Sequence, residues 1–469
     1  AAFLAYRKVQ LIRKKENTVP FLIGSALDAG TISIKGKDAD INGKVYAEST
    51  GGKGGYIDIG ALEHKTTVNG KIKATGKTGG GVAKIFGGEA QINTPAVVDV
   101  SSSAGKGGRI TVDLNSTITP NTVGQANIDG QLIAKGNTDG GQIEISGNNA
   151  FLGSASQVRA DGATGKGGDV SIDAANNIDL YGYSSANGAT GGGNVSIHAD
   201  FVNIPGQVNA MADNSGAGGI IVVRADEGRA DIGGTLNARS ADQGGRVKVF
   251  GYDVNVPGLI NVESVKNGIG GEVHIITTDK ADVSGKLKAS GVDHGGQIKI
   301  TGPLIYVQEG AQLIATSTRS LRGGEISVLS DGGVNIYGTL KTSGVDGGGE
   351  IKVTGDSIFV GIPGYLASES TATETTSSII LQAVHNATFN GHGKVEGVVG
   401  GGSFKIQGET VNVGGWISAN STSNGPGGNG GIISLLGSLY NEFTGYMSAR
   451  GGPGSGNGGK IVIATPNTV

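Results

Sequence analysis

The chain has 469 residues, 37 Lys and Arg against 40 Asp and Glu, and no cysteine. Cysteine's absence excludes disulfides, thiol nucleophiles and cysteine-held metals, and the near-neutral charge leaves no global field to attract nucleic acid or anionic lipid. Its 89 glycines follow no three-residue period, which excludes collagen, and 37% hydrophobic residues in regular strands exclude disorder.

Residues 1–20 stand apart from the rest. A short apolar run, Ala1 to Tyr6, is followed by Arg7, Lys8, Arg13, Lys14 and Lys15. A secretory signal places its charges first, and a transmembrane segment needs about 20 apolar residues, so neither pattern fits. The expectation is a capping segment over the first coil or an arm that docks on another molecule.

From residue 21 to 469 one unit repeats about every 26 residues. A Gly-Gly pair precedes an alternating apolar strand, in phase at Gly54, Gly80, Gly107, Gly140, Gly167, Gly192 and Gly218, and again at Gly401, Gly430 and Gly458. The clearest copies are Gly244 to Val249, Gly270 to Ile275, Gly295 to Ile300, Gly323 to Val328 and Gly348 to Val353. One copy loses the pair, at Ser377-Ser378. Two further strands follow each Gly-Gly strand, such as Ala281 to Gly285 and Lys286 to Ser290.

Three short strands per period, each with alternating side chains, describe a coil that turns three corners. The expected fold is all-β: a single continuous parallel β-helix, or β-solenoid, of about 16 to 17 coils. Alternation points Val273, Ile275, Val283, Leu287 and Ala289 inward in one coil. Ile298, Ile300, Ile305, Val307, Leu313 and Ala315 do so in the next. The glycines suit corners that need positive φ or close backbone approach.

The phrase apolar-x-Gly-x-apolar-x-Ala, a glycine-rich corner and Gly-Gly-x-apolar-x-apolar resembles the repeats of filamentous haemagglutinin-type adhesins, the exoproteins of bacterial two-partner secretion. Here it reads Ile232-Gly233-Gly234-Thr235-Leu236-Asn237-Ala238-Arg239 with Gly244 to Val249, and Tyr446 to Gly452 with Gly458 to Ile461. The resemblance covers most of residues 29–463. It implies a secreted or cell-surface structural rod for adhesion, aggregation or filament formation. Its partners would be surface glycans or proteins, or other copies of itself. The resemblance carries neither that family's amino-terminal secretion domain nor a carboxy-terminal anchoring module.

An enzyme acting on polysaccharides is the alternative from another class, since such enzymes also use parallel β-helices. It would need converging carboxylates on adjacent coils. The outward positions of the Gly-Gly strand instead form a mixed column, Arg246, Glu272, Gln297, Glu325 and Glu350, beside Lys248, His274, Lys299, Ser327 and Lys352. This reads as a solvated face. His64, His198, His274, His294, His385 and His392 are scattered, with only the last two near each other. Asp58 misses the calcium-loop position after Gly51 to Gly55, and no phosphate loop occurs. No catalytic residue, metal site or cofactor is expected.

Insertions lengthen three units, at Ser116 to Gln125, Ser368 to Ser378 and Ser421 to Asn429. One alignment rises above the solvated background. The first residue after the corner glycine of the third strand is Lys44, Lys71, Thr235, Lys286 and Thr339 in earlier coils, and then Tyr365, Lys394, Trp416 and Tyr446. Exposed aromatics in a row mark a partner site. The last unit ends at Val469 without a polar cap, which fits either a piece of a longer array or a filament subunit joined end to end.

Overall fold

The computed structural model describes residues 8–11, 21–114, 124–319, 321–372, 377–423, 428–454 and 456–465. Among them the regular elements are strands, stacked in parallel as a β-solenoid of about 16 turns of roughly 26 residues. Contacts divide the chain into two compact units, Ala1–Ala238 and Arg239–Val469.

In the second unit the outward column inferred from the sequence is the observed register. Arg246 pairs with Glu272, Glu272 with Gln297, Gln297 with Glu325, and Glu325 with Glu350. The alternate residues face the core: Val273, Ile275, Val283, Leu287, Ala289, Ile298, Ile300 and Ile305 are fully buried. Each buried aliphatic side chain contributes about 1.5–3 kcal/mol, and none finds its partners within its own turn alone.

The first unit is built alike. Ile57, Ile59, Val68, Ile72 and Ala74 are fully buried in one turn. At one corner an asparagine ladder runs through three turns: Asn69 Nδ2 donates to Asn42 Oδ1 and Asn93 Nδ2 to Asn69 Oδ1, both at 2.7 Å. Within the amino-terminal segment, Lys8–Leu11 pairs in parallel with Thr31 to Ile34. The rest of residues 1–20 lies outside the described residues, as do parts of the three insertions.

The strand boundaries differ from the sequence reading. The first and second strands of a turn often run on as one bent strand, as in Arg246–Val256 and Glu272–Val283. There the pairing slips by one residue between Gly251 and Asp253, and this bulge takes up the bend that a separate corner would otherwise make. At the Gly270-Gly271 corner the reason for glycine is close backbone approach, one of the two expected. Neither Gly270 nor Gly271 has positive φ, but a Cβ on Gly270 would overlap the carbonyl oxygen of Ala289, and one on Gly271 that of Gly245. Gly271 N–H closes the corner by donating to Val262 O at 2.7 Å.

The substituted pair is also displaced by one position. Ser377 lies opposite Gly349 and so replaces the second glycine; the first falls on residue 376, outside the described residues. Among the described residues no helix is long and apolar enough to cross a membrane.

Candidate functional site

The third strands of four successive turns in the second unit are Tyr365–Ser370, His392–Glu396, Trp416–Ser418 and Tyr446–Ser448. Their first residues stand in register: Tyr365 opposite His392, His392 opposite Trp416, and Trp416 opposite Tyr446. Period-two alternation turns all four outward. Trp416 is 50% exposed and Tyr446 47%, so the strip offers ring surface to a partner.

The register corrects one member of the expected column. Lys394 does not lie between Tyr365 and Trp416; it pairs with Ala367 and Ser418, one outward position further along, and His392 takes its place. The corner glycine of this turn is Gly391, packed under the carbonyl of Gly364, whereas Gly393 is an inward strand residue. The aromatic row is therefore continuous. His392 and Trp416 have ring centroids 5.6 Å apart at 68°, and Trp416 and Tyr446 5.8 Å apart at 77°. Edge-to-face pairs of this kind stabilise each other while leaving part of each ring open. Arg450 Nη2 donates to Tyr446 Oη at 3.0 Å and holds the last ring in place.

Lys394 has another role beside the strip. Its ammonium lies 2.7 Å from Glu369 and 3.2 Å from Glu396, and Lys341 reaches Glu369 at 3.2 Å. Burial disfavours the charged lysine, but its two carboxylates outweigh burial and raise the Lys394 pKa well above the usual value. Burial likewise pushes Glu369 up, yet hydrogen bonds from Lys394 and Lys341 bring it below the ordinary carboxylate range. The Tyr365 phenol is pushed up by burial and by Glu369. Glu369 and Glu396 stand in one column, the arrangement a glycosidase would need. Both carboxylates are ion-paired with Lys394, and Lys341 gives Glu369 a second partner, so the group forms a charged border beside the strip.

The other sequence candidates have ordinary partners. Arg246 and Glu272 form an ion pair at 2.7 Å, and Asp58 pairs with Lys35 at 2.8 Å. His198 sits between Asp173 at 3.3 Å and Asp226 at 2.8 Å, and His385 bonds Asp356 at 2.6 Å. His274 lies between Lys248 and Lys299 in its column. His385 and His392 thus have different partners. Among the described residues no three His, Asp or Glu side chains converge in a metal-holding group. His392 was missed in the sequence because a second glycine follows it at once, so the spacing alone pointed to Lys394.

Comparison of the chain with protein-family models, with curated proteins and with solved structures finds no match.

Proposed function

We propose that the protein is a structural and adhesive component of a bacterial cell surface or extracellular matrix, of the filamentous haemagglutinin type, and that it attaches through the aromatic strip of its second unit. The observation that carries this reading is the row Tyr365, His392, Trp416 and Tyr446, in register over four turns and exposed at its last three members. A parallel stack spaces such rings by one turn, about 4.8 Å. Sugar rings present flat C–H faces that pack on this kind of surface, and Trp and Tyr often anchor interfaces. The charged border of Lys394, Glu369 and Glu396 supplies fixed donors and acceptors for hydroxyls beside the rings.

The test is the triple variant Tyr365→Ser, Trp416→Ser, Tyr446→Ser, compared with the wild type on a glycan array and on whole cells. Folded protein with attachment lowered at least ten-fold supports the reading. Undiminished attachment removes the strip from it. Loss of self-association alone, followed by sedimentation, would instead assign the strip to a sister copy and favour the filament-subunit alternative.

A further inference from the structure

The first unit carries a separate groove of about 410 Å³, lined by Ser102, Ser103, Lys135, Asn137, Arg159 and Asp161 among others. It spans three successive turns. Ser102 N–H donates to Lys135 O at 2.8 Å, and Gly136 N–H to Asp161 O at 3.0 Å, which sets Lys135 between the two neighbouring turns.

The polar groups are already partly committed. Arg159 is locked against Asp161, with Nε and Nη2 each 3.0 Å from Oδ2, and its guanidinium lies 5.8 Å from the Tyr183 ring centroid. The other Asp161 oxygen accepts the Asn187 N–H at 3.0 Å, and Asp99 Oδ1 accepts the Ser101 N–H at 3.0 Å. Among the described residues Lys135 has no carboxylate at ion-pair distance. Burial, and then the positive charge of Arg159, hold it below the usual lysine pKa. Among the described residues Lys135 is therefore the charged side chain of the groove lining that has no ion-pair partner, and it is half-buried.

We infer that this groove binds the carboxylate of a uronic-acid residue in an acidic polysaccharide, with Lys135 as the charge partner and Ser103 and Asn137 at the rim for ring hydroxyls. One ammonium without an ion-pair partner suits a charge-assisted hydrogen bond to a single carboxylate on a sugar ring. Asp99 and Asp161, close on either side, repel polymers with a dense charge such as polysulfates and nucleic acids and accept hydrogen bonds from sugar hydroxyls. The volume is near the lower end of the range of ordinary ligand sites, enough for one or two sugar rings. The site is independent of the aromatic strip, which belongs to the other unit.

The test is calorimetric titration of the full chain with trigalacturonate, its methyl ester and sucrose octasulfate. The expected result is binding of trigalacturonate that weakens with salt, loss of at least ten-fold in affinity for the methyl ester, and the same loss in Lys135→Met. Asn137→Ala, at an exposed rim position, should weaken binding several-fold without touching the core. Bound trigalacturonate should also protect Lys135 from reductive methylation, read by mass spectrometry. The triple aromatic variant should bind as the wild type does, so this site and the adhesive strip fail separately. Equal binding of the methyl ester, undiminished binding by folded Lys135→Met, or tighter binding of the octasulfate would each overturn the assignment.

Discussion

Phe404 lays its ring over the α-carbon of Gly393, at the inward position that Leu366 and Ile417 fill with side chains in the adjoining turns. Phe404 also meets Phe389 edge-on, with centroids 5.4 Å apart, and both rings are fully buried. One glycine thus makes room for two aromatic rings in a core that is mostly aliphatic.

A Cβ on Gly393 would overlap the Phe404 ring. Gly393→Ala should therefore cost about 1–3 kcal/mol through overpacking. Phe404→Leu alone leaves a void and also destabilises, but in the Gly393→Ala background it should recover part of the loss. A double-mutant cycle in urea measures this; additive costs would show that the two positions do not share the space.

Thr342 is fully buried between the inward positions of Ala315 and Ser368, and its Oγ1 has no hydrogen-bond partner. An unsatisfied buried hydroxyl costs about 1–3 kcal/mol. Thr342→Val keeps the shape and removes the polar atom, so it should raise the urea midpoint by an amount equivalent to about 1 kcal/mol or more. Thr342→Ser, which keeps the hydroxyl and loses a methyl, should lower it.

Two histidines should respond to pH in opposite senses. The hydrogen bond to Asp226 is the main cause that lifts His198 above the ordinary imidazole value, aided by Asp173 against some burial. Its contribution is full below about pH 6.5 and is lost as pH rises through the folded-state pKa. Burial and then Lys299 lower His274, so the native state resists its protonation and stability falls as pH drops from about 6.5 through the lowered pKa. NMR titration should place the two imidazoles on opposite sides of 6.5. Asp226→Asn should bring His198 down and leave His274 unmoved; the His198 side chain is 39% exposed, so solvent screening keeps its effect on stability small.

The fold was readable because two local signals agree in nearly all the described turns. Alternation marked Ile298 and Ile300 as inward and Lys299 as outward, and the Gly-Gly pairs marked the corner at which the count restarts. The aromatic strip was readable only to the extent that its turns share that count. In Asn390-Gly391-His392-Gly393 either glycine satisfies the spacing, and only pairing with Tyr365 and Trp416 shows that Gly391 is the corner. The Lys135 groove leaves no local signal. It is made by side chains from residue 102 to residue 163, which meet only when three turns are stacked, and its character depends on which charges are already paired.

The asparagine ladder gives the stack a sense of direction. Asn93 donates to Asn69 and Asn69 to Asn42, so each amide dipole points the same way and each bond polarises the next. A segment removed from such a row leaves no gap if it comprises one whole turn: Asn42 would then receive its bond from Asn93 directly. Removal of an odd number of residues from within a strand would instead turn its buried side chains outward. Within either unit, length can therefore change in whole-turn quanta by duplication or excision, while single-residue insertions and deletions belong at the corners.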